Sequence, residues 1–202
     1  MNQKILASVE EAILAASSLK EPKAIQFIET VAAEIADCFR KQGKLLIAGN
    51  GGSLCDAIHF AEEFTGQFRR SRIPLPAIAL ADPGHLTCVA NDFGFEAVFA
   101  RSVEALGKAG DIFIALSTSG NSANLIAAVQ SAKQKELKTI AFLGKTGGKM
   151  KGLCDLEWIV SGFPFSDRIQ EAHMAAIHVL IEQVEYDLFY AKPHALAGAL
   201  SH

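Results

Sequence analysis

Apolar residues recur at three- and four-residue spacing over residues 2 to 17, at Ile5, Val9, Ile13 and Leu14, and again over 22 to 42, at Ile25, Ile28, Val31, Ile35 and Phe39. A period near that of the α-helix collects them on one side, so the spacing predicts two amphipathic helices at the start of the chain. The pattern then changes to short, almost unbroken apolar runs: Lys44 to Ala48, Leu75 to Leu80, Asp111 to Leu116, Lys138 to Leu143 and Leu156 to Val160. Bounded by turn formers and lacking polar alternation, these read as five strands buried on both faces. Helical patterns separate them at 53 to 67, 95 to 107, 121 to 136 and 147 to 153, and a last long helix is predicted from Asp167 to Tyr190. Strands alternating with helices predict an α/β fold, a three-layer α-β-α sandwich around a five-stranded parallel sheet. No repeat or linker interrupts the pattern. The expectation is therefore one domain over 1–202, with N-terminal helices at 1–42, the α/β core and last helix at 43–190, and a frayed tail at 191–202.

Composition narrows the classes. With 202 residues, 50% hydrophobic and 20% charged, the chain has enough apolar content for a sizeable core. A formal net charge of -3 leaves no electrostatic footprint for nucleic acid or an anionic membrane. The four cysteines, Cys38, Cys55, Cys88 and Cys154, form no CxxC pair, and they are expected to be small buried groups in a reducing compartment. No basic segment leads into an apolar run, and no apolar stretch reaches spanning length, so a cytoplasmic location is expected.

The candidate chemistry begins where the third strand ends. From Gly110 to Asn124 an apolar strand runs into a turn carrying Ser117, Thr118, Ser119 and Ser122, with Gly120 free to turn tightly. Such a turn opening a helix is a phosphate cradle, because the first amides of the helix lack intrahelical partners and its dipole favours an anion. The first strand ends in a comparable turn, Gly49-Asn-Gly-Gly-Ser53. In a parallel sheet both turns fall beyond the carboxyl ends of strands, where ligands bind. Neither GxGxxG nor GxxxxGK[ST] is present, which argues against a nucleotide.

On the helix after the first turn, His59 and Glu63 stand four residues apart and share a face, able to reach one proton or one metal. Glu62 is the competing carboxylate, rotated about a hundred degrees from Glu63. In the last helix His178 lies in the apolar run Ala175 to Ile181, a setting for a core histidine or one facing a site. Gln170 precedes it by about 12 Å along the axis, so one metal would touch both only from midway. His173 points elsewhere and is expected to be structural or solvent-facing, and His85 falls in a predicted loop after the second strand.

These segments together resemble the phosphoheptose isomerase family of sugar-isomerase (SIS) domain proteins, flavodoxin-like in fold. The resemblance rests on Gly49-Asn-Gly-Gly-Ser-Leu-Cys-Asp56, His59-Phe-Ala-Glu-Glu63, Asn91-Asp-Phe-Gly-Phe95, Ser117-Thr-Ser-Gly-Asn-Ser-Ala-Asn124, and Arg168-Ile-Gln-Glu-Ala-His173 with His178 behind it. It implies conversion of sedoheptulose 7-phosphate to D-glycero-D-manno-heptose 7-phosphate, the entry to ADP-heptose and lipopolysaccharide core synthesis. It also implies a homotetramer held by the terminal helices, with active sites at subunit contacts. By the same resemblance Glu63 and His178 are the catalytic base and acid. Ser117, Thr118, Ser119 and Ser122 bind phosphate, and Asn50, Gly51, Gly52, Ser53, Asn91, Asp92 and Gln170 meet the substrate. A zinc ion among His59, Glu63, Gln170 and His178 is implied as well. The chain departs from the pattern at Gln67, where relatives often carry an arginine after Thr65-Gly66; Arg69 and Arg70 follow shortly after. A different class is implied by relatives that keep fold and tetramer but bind and regulate a replication initiator protein.

Overall fold

The computed structural model describes residues 2–191, and the predicted tail beyond Ala191 lies outside them. Two helices come first, α1 (Gln3–Ser17) and α2 (Pro22–Arg40). Five strands follow, β1 (Leu45–Gly49), β2 (Ala77–Ala79), β3 (Ile112–Ser117), β4 (Lys138–Gly144) and β5 (Leu156–Val160). Between them lie α3 (Gly52–Thr65), α4 (Pro83–Phe93), α5 (Val98–Leu106) and α6 (Ala123–Gln134), and α7 (Ser166–Glu185) closes the fold.

All neighbouring strands are parallel, in the order β2-β1-β3-β4-β5. Alternation along the strands divides the core. Leu45, Ile47, Ile112, Ile114, Ile140 and Phe142 pack under α2, α3 and α7, whereas Leu46, Ala48, Phe113, Ala115, Ala141 and Leu143 pack under α4, α5 and α6. This is the expected three-layer sandwich, with a parallel sheet covered on both sides. From the adjacent strands β1 and β3 the chain departs to opposite faces, into α3 and α6. That divergence opens a crevice at their carboxyl ends.

Several predicted elements differ. The helical pattern at 147 to 153 is only a 3₁₀ turn at Gly148–Met150, and residues 95 to 97 form a 3₁₀ turn before α5. The second strand contracts from six residues to three, and the last helix gives way to a π-helical turn at Tyr186–Tyr190. Helix α4 was not foreseen. Its start is coded by Asp82, whose carboxylate accepts the His85 amide at 2.6 Å, and by Pro83 in the first turn, where a missing amide costs nothing. His85 is thus helical, its Nε2 lying 2.9 Å from the Val98 carbonyl and 2.7 Å from the Ser102 hydroxyl, which ties α4 to α5. The cysteines are all free, but only Cys38 is buried; Cys154 is half-buried, and Cys55 and Cys88 are exposed. Among the described residues no helix is long and apolar enough to cross a membrane.

Candidate active site

Two turns from neighbouring strands build one end of the site. Asn50, after β1, and Asn124, in the first turn of α6, exchange side-chain hydrogen bonds of 3.0 and 2.9 Å. This clasp holds the turns edge to edge around a small cavity lined by Asn50, Ser53, Ser117, Thr118, Ser119 and Ser122. Within the loop Ser117 Oγ accepts the Gly120 amide at 3.1 Å and Ser119 Oγ accepts the Asn121 amide at 3.2 Å. Gly120 has a φ of 64°, and a Cβ there would stand 1.9 Å from the Gly147 carbonyl oxygen, so no other residue fits. Ser122 is the N-cap of α6 and makes no side-chain cap bond, which leaves its hydroxyl for a ligand at the helix start.

The other end lies between α3 and α7. A Cβ on Gly52 would stand 2.6 Å from the Gln170 amide, so the two helices touch at that level. Further along both, His59 Nε2 and His178 Nε2 are 3.0 Å apart, and Glu63 Oε1 is 3.5 Å from the same His59 nitrogen. On its other side His59 presents Nδ1 to Glu62 Oε1 at 3.2 Å. With Nδ1–H directed at Glu62, a neutral His59 turns the lone pair of Nε2 toward His178 and Glu63. Burial holds the His178 pKa below its ordinary value, the nearby His59 lowers it further, and Glu63 offsets part of this. Phe68 covers the ring, stacked with a centroid separation of 5.9 Å.

This donor set suits a metal. His59, Glu63 and His178 each offer an atom within 4.8 Å of the others. Two ligands of one tetrahedral zinc at about 2.0–2.1 Å lie about 3.3 Å apart, close to the separations seen. Two facing lone pairs, on His59 Nε2 and Glu63 Oε1, are relieved by a proton or a cation, and the Glu62 contact is the carboxylate–histidine support that metal-binding histidines carry.

The SIS domain family profile matches residues 10–144. The chain is 57% identical to the phosphoheptose isomerase of Fusobacterium nucleatum subsp. nucleatum over 161 residues, covering 80% of this chain and 82% of that protein. To the phosphoheptose isomerase of Vibrio cholerae it is 52% identical, covering 84% and 89%. The solved phosphoheptose isomerase of Neisseria gonorrhoeae superposes with a TM-score of 0.83 at 37% identity, over 91% of this chain and 97% of that one. The chain belongs to the phosphoheptose isomerase family of SIS-domain proteins.

Most of the residues predicted for a phosphoheptose isomerase site come together. Asn50, Ser53 and the four hydroxyl residues line the cradle, and His59, Glu63 and His178 meet at the other end. Gln170 lies on the cradle side, its amide 3.5 Å from the Ser53 hydroxyl. Asn91 and Asp92 stand apart from both groups: they bond to each other at 2.7 Å on the exposed end of α4. His173 is wholly buried, with Nε2 3.0 Å from the Leu143 carbonyl, which settles it as structural rather than solvent-facing. Two residues after Gln67, Arg69 is paired with Glu182 and lies close enough to His178 to lower its pKa. Sequence reasoning missed the Asn50–Asn124 clasp and the Phe68 cover. Glu62, read there as a competitor of Glu63, supports His59 instead.

Proposed function

We propose that this chain is a phosphoheptose isomerase that interconverts sedoheptulose 7-phosphate and D-glycero-D-manno-heptose 7-phosphate, feeding ADP-heptose and lipopolysaccharide core synthesis in the cytoplasm. The observation that carries the reading is the meeting of His59, Glu63 and His178 between α3 and α7, the two helices whose other ends meet at Ser53 on the wall of the hydroxyl-lined cradle.

An aldose–ketose interconversion moves a proton between adjacent carbons through an enediol while protons are exchanged on the two oxygens. Ser117, Thr118, Ser119 and Ser122, with the amides that open α6, hold the phosphate, and Asn50, Gly51, Gly52, Ser53 and Gln170 line the sugar. Glu63 carries the proton between the carbons. His178, whose charged form burial disfavours, donates from its ring nitrogen to the carbonyl oxygen and recovers the proton afterwards. His59, oriented by Glu62, fixes both. His59, Glu63 and His178 would hold a zinc ion, Gln170 on the cradle side being the fourth candidate ligand, and zinc there would act as a Lewis acid on the carbonyl.

Asn91 and Asp92 fit this scheme as residues lent to a neighbouring subunit's substrate. A homotetramer accords with their exposure and with the apolar side chains of Ile5, Val9, Ile13 and Leu14 that α1 leaves in solvent.

The test is Glu63→Gln. Turnover should fall by about a hundred- to ten-thousand-fold while inorganic phosphate still binds in titration calorimetry. Activity within a few fold of the unsubstituted protein removes Glu63 from the chemistry.

A further inference from the structure

Helix α3 carries His59 and Glu63, and it stops at Thr65, two residues past Glu63. The Gly66 amide closes on the Glu62 carbonyl at 2.7 Å, and no backbone amide among the described residues takes the Glu63 carbonyl. The last carbonyls of a helix lack partners inside it and form the negative end of its dipole, yet α3 has no basic residue in its last turn. Arg72 supplies the cation from outside the helix. Its Nη2 donates to the Glu63 carbonyl at 2.5 Å, and its Nη1 to the Phe64, Gly66 and Ile73 carbonyls at 2.8, 2.9 and 3.2 Å. Its Nε donates to Glu185 Oε1 at 2.8 Å, which ties the end of α3 to α7. The two side chains are only 2% and 4% exposed.

Glu185 stands seven residues after His178 on α7, two turns on and within about 20° of the same line. The segment from Gly66 to Arg72 is therefore strapped to one side of α7: Phe68 stacks on His178, Arg69 pairs with Glu182, and Arg72 pairs with Glu185. The Arg69 pair is more than half exposed, where solvent screening leaves an ion pair little hold. The buried pair is the anchor. A guanidinium can meet carbonyls of one helix and a carboxylate of another at once, because its donors form a rigid fork; an ammonium cannot span them. Against apolar residues of similar volume a buried ion pair adds little net stability, so stability alone does not account for it.

We infer that Arg72 is a positioning residue: held by Glu185, it fixes the last turn of α3 against α7 and so sets where Glu63 and His59 stand relative to His178. It touches no reacting atom, and the inference rests on the isomerase reading for the roles of Glu63 and His178.

The experiment compares the unsubstituted full-length protein with Arg72→Lys and Arg72→Ala, measuring turnover of sedoheptulose 7-phosphate and the binding of inorganic phosphate by titration calorimetry. Lysine keeps a cation beside Glu185 but cannot span the carbonyls. With it kcat should fall about tenfold to a hundredfold, the scale of a misplacement of about 1 Å, while KM and phosphate affinity stay within about threefold. In Arg72→Ala, millimolar guanidinium chloride should restore part of the lost kcat, and sodium chloride at the same concentration should not. Should circular dichroism show that the alanine variant does not fold, the lysine variant decides alone. An unchanged kcat in Arg72→Lys, or equal losses of kcat and phosphate affinity, would reduce Arg72 to a stabilising contact and overturn the proposal, as would a folded alanine variant that guanidinium does not rescue. These outcomes leave the isomerase reading standing. An unsubstituted protein without turnover fails that reading itself and takes the proposal with it.

Discussion

At the scale of single residues, the histidines show what spacing can and cannot tell. His178 and His173 sit five positions apart on α7, both among apolar neighbours, yet one meets His59 and the other is sealed beneath Phe142 and Trp158. Spacing set the two on different sides of α7 but left each with two settings, because α7 is covered by α1, α2 and α3 and has no clearly polar face to orient it. Burial lowers the His173 pKa from 6.5 to about 4, the Leu143 carbonyl opposing only in part. The unfolded chain takes up this proton below pH 6.5 and the folded chain does not, so stability falls as the pH drops from 6.5 toward 4 and levels off beneath that. The loss assigned to this residue is about 3 kcal/mol. Denaturant unfolding of the protein and of His173→Gln across that range should show the acid-sensitive component only with histidine present; identical pH dependence would refute it.

At the scale of elements, the apolar runs and the two Gly/Ser turns were legible because a buried parallel strand and a strand-to-helix turn each have a strong composition signature. Helix α4 was not, since Pro83 and Gly84 read as a loop when Asp82 is overlooked as its cap. The contact between turns was equally hidden. Nothing local in the sequence pairs Asn50 with Asn124, 74 positions apart, and only the adjacency of β1 and β3 brings them together. The clasp makes the cradle a product of two elements. Asn124→Ala removes both hydrogen bonds of the clasp together with the acceptor of the Leu125 amide, and strands the Asn50 amide, so it should cost about 1–3 kcal/mol of stability. Phosphate affinity should drop with it, although Asn124 does not line the cavity. Thermal unfolding with a phosphate titration checks this; unchanged phosphate affinity would mean that the two turns hold their shape independently.

At the scale of the whole molecule, the strand order places β1 and β3 side by side and sends their helices to opposite faces, so the crevice follows from topology alone. Neither composition nor motif spacing reveals that order, although the resemblance carried by the Gly49 to Asp56 and Ser117 to Asn124 segments implies it. The N-terminal helix was predicted amphipathic, and it is; yet Ile5, Val9, Ile13 and Leu14 face solvent, each at least 49% exposed. Only Ala15 of α1 is buried within the protomer. Periodicity identified the apolar side of α1 but could not say whether this chain or another copy covers it. If the proposed tetramer uses this face, Ile13→Glu with Leu14→Glu should shift the assembly to smaller species in light scattering, with the secondary structure by circular dichroism retained. A tetramer that persists would put the interface elsewhere.

The cradle and the His59, Glu63 and His178 group are proposed to act on one molecule, its phosphate held at one end and its carbonyl at the other. The most direct test of this proposal is to incubate the purified full-length protein with sedoheptulose 7-phosphate, with and without added zinc, and to follow the aldose signals by NMR. D-glycero-D-manno-heptose 7-phosphate should appear, and the mixture should reach the same ratio from either sugar. Protein that binds the ketose but forms no aldose under either condition would contradict the proposal.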